Sequence, residues 1–144
     1  MSWKTRVPLF AAALWWGSLS AIGFLAVPLL FTHAPSPSQA GQLAAKLFAG
    51  QTWLSIACGM LLLISARTEE EPPRMDWAGG AIIFVMGGLL LALLAQFGVA
   101  PRIVARQNLP VWHTMGSAMF LAQWACALVV LWRVAFRPPT PPAS

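Results

Sequence analysis

From Trp77 to Ala100 the chain carries no charged residue. A run of that length is a membrane-spanning helix, because about 20 residues at 1.5 Å rise cross a hydrocarbon core of roughly 30 Å. The rest of the sequence repeats the pattern, with apolar segments parted by short breaks at Pro35, Pro37, Pro101 and Pro110 and by one polar loop from Arg67 to Asp76. Four spans follow, about 7–31, 47–65, 77–99 and 111–134, and with them an all-α fold, an integral-membrane antiparallel four-helix bundle. Residues 1–137 form a single domain on this reading, and the Pro-rich tail 138–144 is an extended polyproline segment too short to fold.

Composition excludes a water-soluble alternative. Only 9% of residues are charged, against about 25% in a soluble domain. The eight Trp suit anchoring at the two membrane interfaces. The net charge of +5 does not indicate nucleic acid, because the basic residues flank apolar segments and form no patch. Lys4 and Arg6 precede an apolar run that continues to Phe31, longer than the roughly 7–15 residues of a signal-peptide core. An uncleaved first span is therefore expected.

Local signals place the helix ends. Pro8 fits a first turn, and Pro28 removes a backbone bond near the far end of the first span, so a kink is expected there. Ser36-Pro37-Ser38-Gln39 reads as a capping box opening a helix to about Ser65, some 43 Å long at the standard rise. Its first turns, with Gln39, Gln42 and Lys46, should reach into the interface. Asp76 is positioned to cap the third helix, and Asn108 and Pro110 to start the fourth. Ala13, Gly17 and Ala21 share a small-xxx-small spacing, while Gly80 and Gly87 lie one heptad apart. Gly17, Gly80, Gly87 and Gly116 are thus the expected close helix contacts. Gln123, at mid-span, needs a partner on another helix, with Ser18, Ser20 and Ser55 as candidates.

Four spans put both termini on one side. That side would hold Lys4, Arg6, Arg67, Arg74, Arg133 and Arg137, and the other Lys46, Arg102 and Arg106, six against three. The positive-inside rule then places both termini in the cytoplasm, with the protein in a bacterial inner membrane.

No Asp or Glu lies within a span, which argues against a proton relay or cation pathway. No phosphate-cradling loop, nucleophile elbow or His-x-x-x-His pair is present, so an enzyme is not expected. His33, Gln96, Arg102 and His113 all fall near the outer interface. They form a candidate site for a lipid, quinone or other small molecule; the bland alternative is interfacial side chains reaching lipid phosphates. His33 and His113 are also candidate haem ligands, and Cys58, Met60, Met115, Met119 and Cys126 candidate copper ligands, though Met and Cys equally fill apolar cores. The partners expected are the bilayer itself and either a larger membrane complex or a second copy.

Trp16-Gly17, Pro28-x-x-Phe31, Ala40-Gly41 through Leu47-Phe48, Pro101-Arg102-Ile103, His113 and Gln123 together resemble the transmembrane-protein-205-like family. That is a family of small four-span membrane proteins catalogued as a domain of unknown function. The resemblance covers about residues 10–133. It implies a four-helix membrane bundle and no assigned reaction. Thr114-Met115-Gly116 departs from the family pattern after the histidine. A looser likeness to small copper-resistance membrane proteins keeps the metal reading in view.

Overall fold

The structure is a computed structural model that describes residues 3–66 and 80–136. Four helices in it are long and apolar enough to cross a membrane: Arg6–His33, Pro37–Ser65, Ile82–Val104 and Leu109–Ala135. No strand occurs among the described residues. The first span comprises α1 (Trp3–Ala21), a π-helical turn (Ile22–Ala26) and α2 (Val27–His33). α3 (Pro37–Ser65) is the second span. The third comprises α4 (Ile82–Leu94), a second π-helical turn (Ala95–Val99) and α5 (Ala100–Val104), and α6 (Leu109–Ala135) is the fourth. α1 packs beside α3 and α6, and α4 beside the same two, so the spans form an up-down-up-down ring. The Asp76 cap, the acidic residues of the 67–79 loop, Arg137 and the 138–144 tail lie outside the described residues, as does the Lys4 side chain.

Both prolines expected to interrupt a span are accommodated without ending it. A proline ring clashes with the carbonyl four residues back and donates no N–H. Directly ahead of each, at Ile22–Ala26 before Pro28 and Ala95–Val99 before Pro101, the helix widens by one residue, and Val27 and Ala100 bond five residues back to Ile22 and Ala95. The third span therefore continues through Pro101 to Val104, and the break expected at Pro101 falls at 105–108 instead.

The capping at Ser36 is local chemistry. Its Oγ accepts the Gln39 N–H at 3.2 Å, with Pro37 in the first turn. At the other turn, α5 closes in a Schellman arrangement: Gln107 N–H donates to the Arg102 carbonyl and Arg106 N–H to the Ile103 carbonyl. Arg106 thereby takes φ 56, a left-handed conformation that glycine occupies at no steric cost. Arg106→Gly should stabilise the bundle by a net ~0.5–1 kcal/mol, since relief of the strain exceeds the extra chain entropy lost by glycine. A raised thermal midpoint in detergent would show it; a lowered one would mean that the arginine side chain holds the turn.

Large apolar side chains such as Phe10, Leu14, Trp53, Ile83, Leu90 and Phe97 point outward, while Gln51, Thr52, Ser55 and Gln123 are buried. This suits a lipid solvent, in which tails are as apolar as leucine and helices associate through close packing and interhelical hydrogen bonds. The apolar centre is built on Trp15, fully buried among Leu19, Cys58, Leu62, Val85, Ala127 and Val130.

Close packing falls on glycines other than most of those expected. A Cβ on Gly17 or Gly87 would meet nothing within 4 Å, so these two are not close contacts. The spacing identified helix faces rich in small residues, but Gly17 and Gly87 stand half-buried there with no neighbour close against them. A Cβ on Gly88, one residue further and 100° round the helix, would lie 2.7 Å from the Trp15 ring. On Gly59 it would stand 2.7 Å from the Leu89 side chain, and on Gly23 it would strike the Phe120 ring. Gly80 lies under the Arg133 guanidinium, and a Cβ on Gly116 would lie 3.4 Å from Val99, an ordinary contact.

Candidate functional site

Two groups of polar residues stand out, one at mid-bundle and one at the end where α2 turns into α3 and α5 into α6. The central group joins three spans. Gln51 of α3 donates through Nε2 to Ser18 Oγ at 3.0 Å and to Ser55 Oγ at 3.3 Å, and Gln123 of α6 donates to the same Ser55 Oγ at 3.1 Å. The Ser18 hydroxyl donates to the Trp15 carbonyl at 3.0 Å, and Trp124 donates to Ser20 Oγ at 2.8 Å. Of the three serines considered for Gln123, Ser55 is the one that bonds it. Gln51, itself buried, leaves its Oε1 without a partner, as do the indole N–H groups of Trp15 and Trp16. All these groups are neutral. They can hold helices in register and accept or donate hydrogen bonds; they cannot exchange a proton near neutral pH.

At the turn end, α2 and α3 leave an open groove of about 560 Å³ between them. Its walls are Ala26, Leu29 and Leu30 on one side and Leu43 and Leu47 on the other, with His33 at its outer end. His33 Nδ1 lies 3.1 Å from the Leu29 carbonyl of its own helix, which fixes the ring beside the groove. Lys46 is exposed on α3, between the two lining leucines. A second, shallower recess of about 430 Å³ lies along α6 and is lined by His113, Thr114, Ser117, Ala118 and Leu121.

The structure therefore does not assemble the four expected residues into one site. His33 and His113 border different recesses with no lining residue in common. Arg102 lines neither histidine's recess, donating to the Gly98 carbonyl at 3.0 Å and stacking over the Trp112 ring at 4.4 Å. Gln96 sits half-buried in the second π turn. The separation follows from the ring: His33 ends the first span and His113 opens the fourth, and each faces outward. Cys58 is in the apolar core, Cys126 lies beside Gly88, and Met60 and Met115 are exposed. Among the described residues no three His, Cys, Asp or Glu side chains converge. Sequence reasoning did not single out Gln51, although an amide in the middle of an otherwise apolar segment is itself the signal that finds it.

Neither curated proteins nor solved structures give a match to the chain. Residues 10–111, from α1 to the first turn of α6, match a family described as a domain of unknown function (DUF4149). The match spans Ser18, Gln51 and Ser55 as well as the whole α2–α3 groove. On a match covering most of its length, this four-span chain belongs to the DUF4149 family.

Proposed function

We propose that the protein is a non-enzymatic membrane protein that binds an anionic phospholipid in the α2–α3 groove. The observation that carries this reading is an open apolar trough between α2 and α3 with His33 at its outer mouth and Lys46 exposed on α3 beside the lining Leu47. No carboxylate occurs among the described residues, so none of them neutralises Lys46, and an anionic head group complements it. The charge count supports a setting in a bacterial inner membrane, with both termini cytoplasmic and the mouth facing outward. Trp16-Gly17, Pro101-Arg102-Ile103 and His113 support the finer likeness to the transmembrane-protein-205-like family.

The test is native mass spectrometry of protein carried in mixed phosphatidylglycerol and phosphatidylcholine. The wild type should retain phosphatidylglycerol selectively. Because one basic side chain beside anionic head groups contributes about 1 kcal/mol, Lys46→Glu should cut that preference about fivefold or more. Equal retention of both lipids by the wild type would refute the anionic reading, and a bound quinone in protein from native membranes would redirect it.

A further inference from the structure

We infer that the chain is two copies of one two-span hairpin packed about a two-fold axis parallel to the helices, and that the lipid groove is the open member of two equivalent seams. The second half of this inference rests on the lipid-binding reading; the first does not.

The two π turns fix the relation. Ile22–Ala26 and Ala95–Val99 are five residues each and stand 73 residues apart, as do Phe24 and Phe97, and Pro28 and Pro101. The same shift carries the three buried residues of α4, Val85, Gly88 and Ala92, back onto Ala12, Trp15 and Leu19, all buried. In the second arm the shift is 72, one residue being lost at the turn. It carries the four buried residues of α6, Gln123, Ala127, Val130 and Val134, onto Gln51, Ser55, Cys58 and Leu62, again all buried. Helical periodicity alone would allow such faces to match at several shifts. The widened turns and prolines select this one.

Geometry supplies an independent sign. A residue can touch its own equivalent only at a two-fold axis; two equivalent pairs meet and a third pair shares one partner. Trp15 packs its ring on Gly88. Phe48 and Phe120 stack edge to face, with centroids 5.5 Å apart. Gln51 and Gln123 share the hydroxyl of Ser55. All three lie between diagonal members of the ring, where a two-fold axis of an up-down-up-down bundle must run. Both hairpins cross the membrane in the same sense, so the repeat is parallel, with its axis along the membrane normal.

The halves differ at their seams. In the second hairpin the seam between α5 and α6 is bridged by Arg102 stacked on Trp112. The equivalent positions in the first hairpin are Leu29 and Ala40, which cannot form that bridge, and there the groove opens. Met115 and Met119 stand where the first seam has Leu43 and Leu47, so the apolar lining is kept and the charged stack is what distinguishes the two. The groove thus takes the apolar chain of an anionic lipid, and its partner seam is a latent site of the same kind.

Two measurements on the full-length protein separate the parts. For the repeat, Ser55→Ala should lower the thermal midpoint, and adding Ala127→Ser, which restores the hydroxyl at the equivalent position, should recover most of the loss. Failure of the second change to rescue the first would overturn the repeat, whatever lipid binds. For the seam, native mass spectrometry with phosphatidylglycerol as the probe should count one lipid on the wild type and two on Arg102→Leu/Trp112→Ala. A count that stays at one would overturn the seam assignment. A count of zero on the wild type would overturn the lipid-binding reading and the seam with it, leaving the rescue experiment to decide the repeat alone.

Discussion

Replacing Trp15 with alanine is expected to lower the unfolding free energy of the bundle by about 3 kcal/mol, the lower end of the range for emptying a buried tryptophan site. The estimate sits at the lower end for a physical reason. In water, a large-to-small change loses both transfer energy and packing; in lipid the surrounding tails are as apolar as the core, so the packing loss dominates. Trp15 has no exposed surface and spans the centre of the ring to Gly88, so no neighbouring side chain can close the hole without moving a helix. Trp53→Ala is the control, because Trp53 is 67% exposed and faces lipid. Trp15→Phe should be milder than Trp15→Ala, since it keeps most of the ring and removes an indole N–H that has no partner. Equilibrium unfolding in mixed micelles reads all three; a loss below about 1 kcal/mol for Trp15→Ala, the scale of an ordinary point change, would mean that the bundle does not close at this level.

Ser55→Ala should cost about 1–2 kcal/mol, although it removes a single oxygen. Two amides lose an acceptor at once, and membrane hydrogen bonds average about 0.6 kcal/mol each with a maximum near 1.7. Gln51 keeps its bond to Ser18, whereas Gln123 Nε2 keeps no described partner. Gln51→Leu makes the informative comparison. It removes satisfied N–H groups together with an oxygen that has no partner, so it should cost less than Ser55→Ala. The reverse order would show that the Gln51 oxygen is satisfied in the membrane by a group such as a bound water.

The spans were legible because the bilayer imposes a length and forbids charge, and both constraints act on single residues. The Ser36 cap was legible for the same reason, its chemistry being complete within four residues. What failed to read was relational. Gly17 and Gly87 have the spacing of packing glycines, yet which face meets a neighbour depends on how four helices close, and the face containing Gly88 won because Trp15 needs its space. His33 and His113 lie at one level of the bundle but on different outward faces, a rotation that hydropathy does not encode. Pro28 and Pro101 announced a disturbance. That each is absorbed by a widened turn depends on the clash with the carbonyl one turn back, which offers two outcomes, a break or an extra residue.

Those widened turns also bear on how such a chain tolerates insertions and deletions. Within a regular membrane helix, losing one residue rotates everything beyond it by 100° and carries the buried face into the lipid. A π turn is an α-helix holding one residue too many, so a deletion inside Ile22–Ala26 or Ala95–Val99 can be taken up by narrowing the turn while the helices on either side keep their phase. These two places are where the spans carry slack in length, and where relatives of different length can differ without exchanging inside for outside.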